Sequence, residues 1–163
     1  MKKTMYLECQ SGISGDMTVA ALLDLGADEE VLKKALSSLP VSGFQIQISR
    51  VKKAGLDVCD FDVLLDKVHE NHDHDMEYLH GHSHEHSHNH SGHAHHHHVL
   101  RGMKEIMDIL NAAALTDRAR ATAVRIFTIL GEAEAKAHGT TLEEVHFHEV
   151  GAVDSIVDIV SVA

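Results

Sequence analysis

Phe44-Gln45-Ile46-Gln47-Ile48-Ser49 and Leu56-Asp57-Val58-Cys59-Asp60-Phe61-Asp62-Val63-Leu64-Leu65, joined across Ala54-Gly55, decide the fold class of this sequence. In the first run apolar and polar residues alternate, which puts Phe44, Ile46 and Ile48 on one face of a half-buried strand. The second run alternates as well, and Ala54-Gly55 between them is a turn signal. The pattern predicts a β-hairpin. The segments on either side read mostly as helices, so the expected class is α+β (mixed α/β): a small sheet with a hairpin in the N-terminal part and a helical C-terminal part.

Working outward, residues 5–9 are short and apolar, with strand character, and lead into a glycine-containing loop over 10–16. Met17, Ala20, Ala21 and Leu25 then recur at helical spacing up to Gly26. Asp28 is placed to cap a second helix carrying Val31, Leu32, Ala35 and Leu36, which ends before Pro40. On the C-terminal side, residues 99–113 carry a stripe of Met103, Ile106, Met107 and Leu110. Thr116 can cap a long helix with Ala123, Ile126, Phe127 and Leu130 facing inward, closing at Gly139. Residues 140–145 read as a short helical turn and 152–163 as a last helix. That helix has no Gly, Pro or polar terminator. The expectation is therefore one domain truncated at its C-terminus, with 1–68 a mixed α/β subdomain, 69–98 an insertion, and 99–163 a helical part packing on 1–68.

The chain has 163 residues, 44% of them hydrophobic, which is enough for a real core and excludes a wholly disordered chain. No apolar run approaches the roughly 18–20 residues that span a bilayer, and the start has no long apolar signal region. The expected location is cytoplasmic, with no membrane partner. The formal charge of -11 argues against a nucleic-acid partner, which needs a basic face. Cys9 and Cys59 form no CxxC pair and make no disulfide framework, which suits a reducing compartment.

Residues 69–98 are unlike the rest. They hold 14 of the 17 histidines among Asn, Asp, Ser and Gly, with almost nothing apolar to offset ordering. A long, disordered, metal-binding loop is expected. His82, His84, His86, His88 and His90 alternate with small polar or acidic residues, His93 follows, and His95, His96, His97 and His98 form a block. Imidazole suits Zn, Ni, Cu and Co and suits Mg or Ca poorly. In an extended chain, side chains at i and i+2 point the same way about 6.6 Å apart, so neighbouring rings can share an ion. Such a tract stores or captures metal without imposing one geometry. A pH-responsive linker and an expression tag are the other readings, although the interrupted pattern and mid-chain position do not fit a tag.

Two compact motifs remain. Ser11-Gly12-Ile13-Ser14-Gly15-Asp16-Met17 lies between a strand and a helix, where backbone amides can hold a phosphate or carboxylate. It lacks the Gly-Lys-Ser/Thr of a Walker loop. A plain strand-to-helix turn, with Asp16 as cap or as a carboxylate near a cation, stands beside that reading. The second is His146-Phe147-His148-Glu149-Val150-Gly151-Ala152-Val153-Asp154-Ser155-Ile156-Val157-Asp158. His146 and His148 face one side of an extended segment, Glu149 follows, and Asp154 and Asp158 share a helix face. These groups make a plausible site for a first-row metal. The other reading is that Asp154 or Ser155 caps the helix and the histidines satisfy buried backbone groups.

Cys9-Gln10-Ser11-Gly12-Ile13-Ser14-Gly15-Asp16-Met17, the His-rich insertion, Ala133-Glu134-Ala135-Lys136-Ala137-His138-Gly139 and the second motif together resemble the N-terminal part of the LarC family, in order and over essentially the whole chain. The chain departs from the usual family pattern at Glu8, Gln10 and Ser161. The resemblance implies part of a CTP-dependent nickel insertase. Its members insert Ni(II) into pyridinium-3,5-bisthiocarboxylic acid mononucleotide to make the nickel-pincer cofactor of lactate racemase-type enzymes. It implies His146, His148 and Glu149 as catalytic, with Asp154 completing a nickel site beside the two histidines and the tract as a nickel reservoir. Ser11, Gly12, Ser14, Gly15 and Asp16 would hold the mononucleotide phosphate. CTP with a divalent cation would bind only through a C-terminal domain absent from this sequence, so the fragment alone would not suffice. Implied partners are that C-terminal half, the precursor mononucleotide, the apo client enzyme and, in a homo-oligomer, further copies of the chain. A nickel storage protein or metallochaperone without catalytic activity is the alternative.

Overall fold

The computed structural model describes residues 4–66, 101–147 and 151–163. The hairpin forms as its pattern dictates. β1 (Phe44–Lys53) and β2 (Leu56–Leu65) pair antiparallel, from Phe44 opposite Leu65 to Lys53 opposite Leu56. Ala54 (φ 51°) and Gly55 (φ 83°) both take left-handed backbone. This is the two-residue turn whose twist matches the flanking strands. On one face Ile46, Ile48, Cys59, Phe61 and Val63 point into the core, while Gln45, Gln47 and Asp62 face water.

Five helices accompany the strands among the described residues: α1 (Gly15–Asp24), α2 (Glu29–Ser37), α3 (Met103–Ala112), α4 (Asp117–His138) and α5 (Val153–Val162). The cap signals act as expected. The Asp28 carboxylate accepts from the Glu30 and Val31 amides, and the Thr116 hydroxyl accepts from the Ala119 amide. α4 closes at Gly139 in left-handed backbone. Arg120 donates to the carbonyls of Leu110 and Ala113, groups that the end of α3 leaves without helical partners. The class is α+β, as the sequence indicates.

Two expectations change in detail. Residues 5–9 form no strand, because β1 and β2 pair only with each other and no described strand lies alongside to accept a ladder. The helix read over 99–113 starts at Met103. Arg101–Gly102 is instead a short strand, β3, antiparallel to β4 (His146–Phe147). The Glu105 carboxylate accepts the Gly102 amide, half of a capping box, since glycine has no side chain to return the bond. The His-rich insertion lies outside the described residues.

α5 is the hub. It packs on α1, α2, α4 and β2, and its Val153, Ile156, Val157 and Val160 are buried. α1 in turn lies on β2, and α3 on α4. One apolar cluster runs from Val19, Leu36 and Phe61 through Ile156 and Val157 to Ile106, Leu110 and Phe127. Asp24, the last residue of α1, ties that helix to the hairpin by accepting the Cys59 amide at 2.9 Å and pairing with Arg50. These bonds hold its carboxyl below the usual range. No described helix is long and apolar enough to cross a membrane.

Candidate functional site

The site is made where α1 begins. Ser14 precedes the helix in extended backbone and makes no side-chain cap. The Thr18 hydroxyl instead donates to the Ser14 carbonyl at 2.7 Å. At Gly15 the chain comes so close to α5 that no side chain fits: a Cβ there would stand 2.5 Å from Asp158 Oδ2 and 2.7 Å from Asp158 Cβ. The missing side chain is what admits the Asp158 carboxylate to the end of α1, where the Asp16 amide donates to it. Thus the first motif's glycine and the second motif's last aspartate are in contact.

Asp158 is electrostatically strained. Its Oδ1 is sealed from solvent and has no hydrogen-bond partner among the described residues. Burial pushes its pKa up to about 6, and the negative charges of Asp16, Asp154 and Asp62 push the same way against the Asp16 amide. A half-buried carboxylate near other carboxylates resists full ionisation, and a cation among them would relieve it. Beside it opens a cleft of about 310 Å³. Ser14, Thr18 and Ser155 supply its polar wall, and Ile13, Ile126 and Ile159 its apolar one.

The second motif is anchored at Phe147 and at Gly151. Phe147 is buried and meets Phe127 edge-on, with ring centroids 6.1 Å apart. Its neighbour His146 is exposed, as alternation along β4 requires. Gly151 lies close to Phe147: a Cβ on it would stand 3.1 Å from the Phe147 carbonyl oxygen. Arg101 Nη1 donates to the Gly151 carbonyl at 2.6 Å and ties it to β3. Asp154 follows in the first turn of α5, its Oδ1 accepting the Ser155 amide at 2.8 Å.

The structure therefore brings Ser14, Gly15, Asp16 and Asp154 together around Asp158. Ser11 and Gly12 sit farther out on an exposed turn, where the Gly12 amide donates to the Cys9 carbonyl. His146 stands on the β3–β4 side. Close by, the Glu105 and Gly102 amides hold the Glu105 carboxyl low, with a smaller contribution from Lys104. His146 is exposed, so it does not satisfy a buried backbone group. His148 and Glu149 lie outside the described residues, as do His82, His84, His86, His88, His90, His93, His95, His96, His97 and His98. Among the described residues no three His, Cys, Asp or Glu side chains converge to hold a metal ion. The sequence reading missed Arg101 and Glu105, and it named Asp158 only as a partner of Asp154. Nothing local marks Arg101, whose partner Gly151 is fifty residues away in the sequence.

Fold and site define an α+β protein in which the start of α1 meets α5 at the Gly15–Asp158 contact, beside a mostly apolar cleft, with His146 exposed on β4. The family model described as nickel insertion protein matches residues 5–163, and the chain belongs to that family. Similar relatives include the pyridinium-3,5-bisthiocarboxylic acid mononucleotide nickel insertion protein of Alkaliphilus metalliredigens, 52% identical over all of this chain and 36% of its own length. Those of Akkermansia muciniphila and Geobacillus kaustophilus, under the same name, are 43% and 42% identical over 99% of this chain and 35% and 34% of theirs. The chain thus spans about a third of the length of these curated relatives, their N-terminal part. No solved structure matches it significantly.

Proposed function

We propose that this chain is the N-terminal portion of a nickel insertase. The enzyme would deliver Ni(II) to pyridinium-3,5-bisthiocarboxylic acid mononucleotide in a CTP-dependent reaction, making the nickel-pincer cofactor of lactate racemase-type enzymes in the cytoplasm. Nickel is the cargo. His146, His148, Glu149 and Asp154 would hold it during transfer. Insertion makes two Ni–S bonds and one Ni–C bond, and the proton leaving the ring carbon would pass to a nearby base, Glu149 or one of the two histidines. CTP and its divalent cation belong to the remaining two thirds found in the relatives, so the chain alone would not complete the reaction. The apo client enzyme and a second copy of the chain are further proposed partners.

The observation that carries this reading is the contact between Gly15 and Asp158. It joins the two motifs on which the family resemblance rests, although they are far apart in sequence. Because the Asp158 carboxylate takes the Asp16 amide, the surroundings of Gly15 and Asp16 favour a cation over a phosphate. Ser11 and Gly12, on the exposed turn farther from the carboxylates, are then the better part of the loop for the mononucleotide phosphate. The concentration of histidines in 69–98 favours a second reading, nickel storage or chaperoning without a share in catalysis.

The test combines this chain with the remaining two thirds of a relative, CTP, Ni(II) and the apo-mononucleotide, and detects nickelated product by mass. Insertase function predicts that His146→Ala with His148→Ala abolishes product, while deletion of 80–98 is tolerated at ample nickel. Storage predicts the reverse ranking. Absence of product from the unaltered mixture sinks the insertase reading.

A further inference from the structure

Residues 5–9 have the composition of a strand and, among the described residues, none of its bonding. Among the described residues, no backbone hydrogen bond is made by residues 4–8. Met5, Tyr6 and Leu7 are 56%, 82% and 58% exposed, and Ile13 and Met17 beyond the turn are 57% and 60% exposed. A run of large apolar side chains on an unpaired backbone is both an apolar patch and an open edge, two features that soluble proteins ordinarily cover. Ile13 belongs also to the cleft beside Asp158, whose far wall is Ile126, Ile159 and Val162. Ile13 thus belongs both to the exposed apolar set and to the cleft.

We infer that this surface is the docking site for the remaining two thirds of the full-length protein, which adds a β-strand alongside residues 5–9 and lays an apolar segment into the cleft. The inference rests on the family reading above. The occupant follows from two facts. The relatives carry about two thirds of their length beyond the part that aligns with this chain. In them that additional chain leaves from the position of α5, and Val162 in the last turn of α5 lines the cleft. The following polypeptide therefore starts at the surface it is to cover, at the high effective concentration that a short connection gives. Strand addition would supply the missing backbone partners, and side chains on alternate sides would cover Tyr6 and its neighbours.

Amide hydrogen exchange tests this without nickel, CTP or nucleotide. The 163-residue chain is compared with the same chain joined in frame to the remaining two thirds of the Alkaliphilus metalliredigens relative. The amides of Tyr6 and Leu7 should exchange at near-free rates in the chain alone and at least about 100-fold more slowly in the joined protein. Leu7→Pro, which removes an amide, should lower the urea midpoint of the joined protein and leave that of the chain alone unchanged. Free-rate exchange in a folded joined protein overturns the inference. So does protection in the chain alone that grows with concentration, the mark of a second copy. If the joined chain does not fold, the intact relative is measured at the positions aligned with Tyr6 and Leu7, where slow exchange supports the inference and free-rate exchange overturns it. A joined protein that inserts nickel yet leaves these amides unprotected removes this inference alone. One that protects them yet inserts no nickel removes the insertase reading alone.

Discussion

Asp158 fills the space that a side chain on Gly15 would need, with its Oδ2 2.5 Å and its Cβ 2.7 Å from the missing atom. The Cβ is fixed to the α5 backbone, so rotating the carboxylate away does not clear the position. Gly15→Ala should therefore push α1 and α5 apart and destabilise the chain by about 1–3 kcal/mol. With Asp158→Gly the obstacle is gone, and the same substitution should turn neutral or mildly stabilising, since alanine favours a helix over glycine by up to about 1 kcal/mol. Urea denaturation of the unaltered chain, the two single variants and the double variant checks the change of sign, and equal costs in both backgrounds would contradict it.

Asp158 also makes stability depend on pH. Its folded pKa of about 6 lies above the ordinary 3.8, so the folded chain holds this proton more tightly than the unfolded chain does. Its contribution is fully present below about pH 4 and is lost as pH rises through about 6. Asp158→Asn keeps the neutral shape at every pH. Relative to the unaltered chain it should be near neutral at about pH 4 and more stable at about pH 7.5 by about 1–2 kcal/mol, a figure reduced because the group is only half-buried. The difference between the two denaturation curves across pH isolates this residue from the histidines.

Ala54 stands in left-handed backbone at φ 51°, where a Cβ is unfavourable. Ala54→Asn would produce the Asn-Gly pair that this hairpin turn prefers. A gain of about 0.5–1 kcal/mol is expected, read as a higher thermal midpoint. No gain would mean that the turn is not under strain.

Arg101 holds the Gly151 carbonyl at 2.6 Å, and burial lowers the pKa of its guanidinium without removing the charge. Arg101→Met should cost about 1–3 kcal/mol, the range for removing a charge-assisted hydrogen bond. Because Gly151 bounds the segment that carries His148 and Glu149, nickel insertion by the complete system should fall more than stability at the assay temperature explains. Arg101→Lys should recover stability in part. Full activity in Arg101→Met would exclude a positioning role.

What could be read in advance was what local chemistry fixes. Ala54-Gly55 announced the hairpin, Asp28 and Thr116 the starts of α2 and α4, and Gly139 the close of α4. What could not be read depends on residues distant in sequence. Arg101–Gly102 has no strand signature and is a strand only because His146–Phe147 lies against it. Residues 5–9 show the opposite case, a strand signature without a described partner. At the site, the spacing of Asp154 and Asp158 was legible, because one helix repeat sets it. Their meeting with Asp16 was not, since it depends on how α5 crosses α1. Ser161, near the end of α5, places its hydroxyl on the helix backbone, where it donates to the Val157 carbonyl at 2.6 Å.

The hub position of α5 has a consequence for biosynthesis. α1 and the hairpin are made first, yet the helix that covers them is made more than eighty residues after β2 ends. Loop closure over that separation slows folding. Until α5 has left the ribosome, Val19, Leu36 and Phe61 lack their main apolar cover, and the nascent chain is at its most vulnerable to aggregation and proteolysis. The histidine-rich stretch 69–98 is translated within that same interval, before α5 can cover the first-made elements.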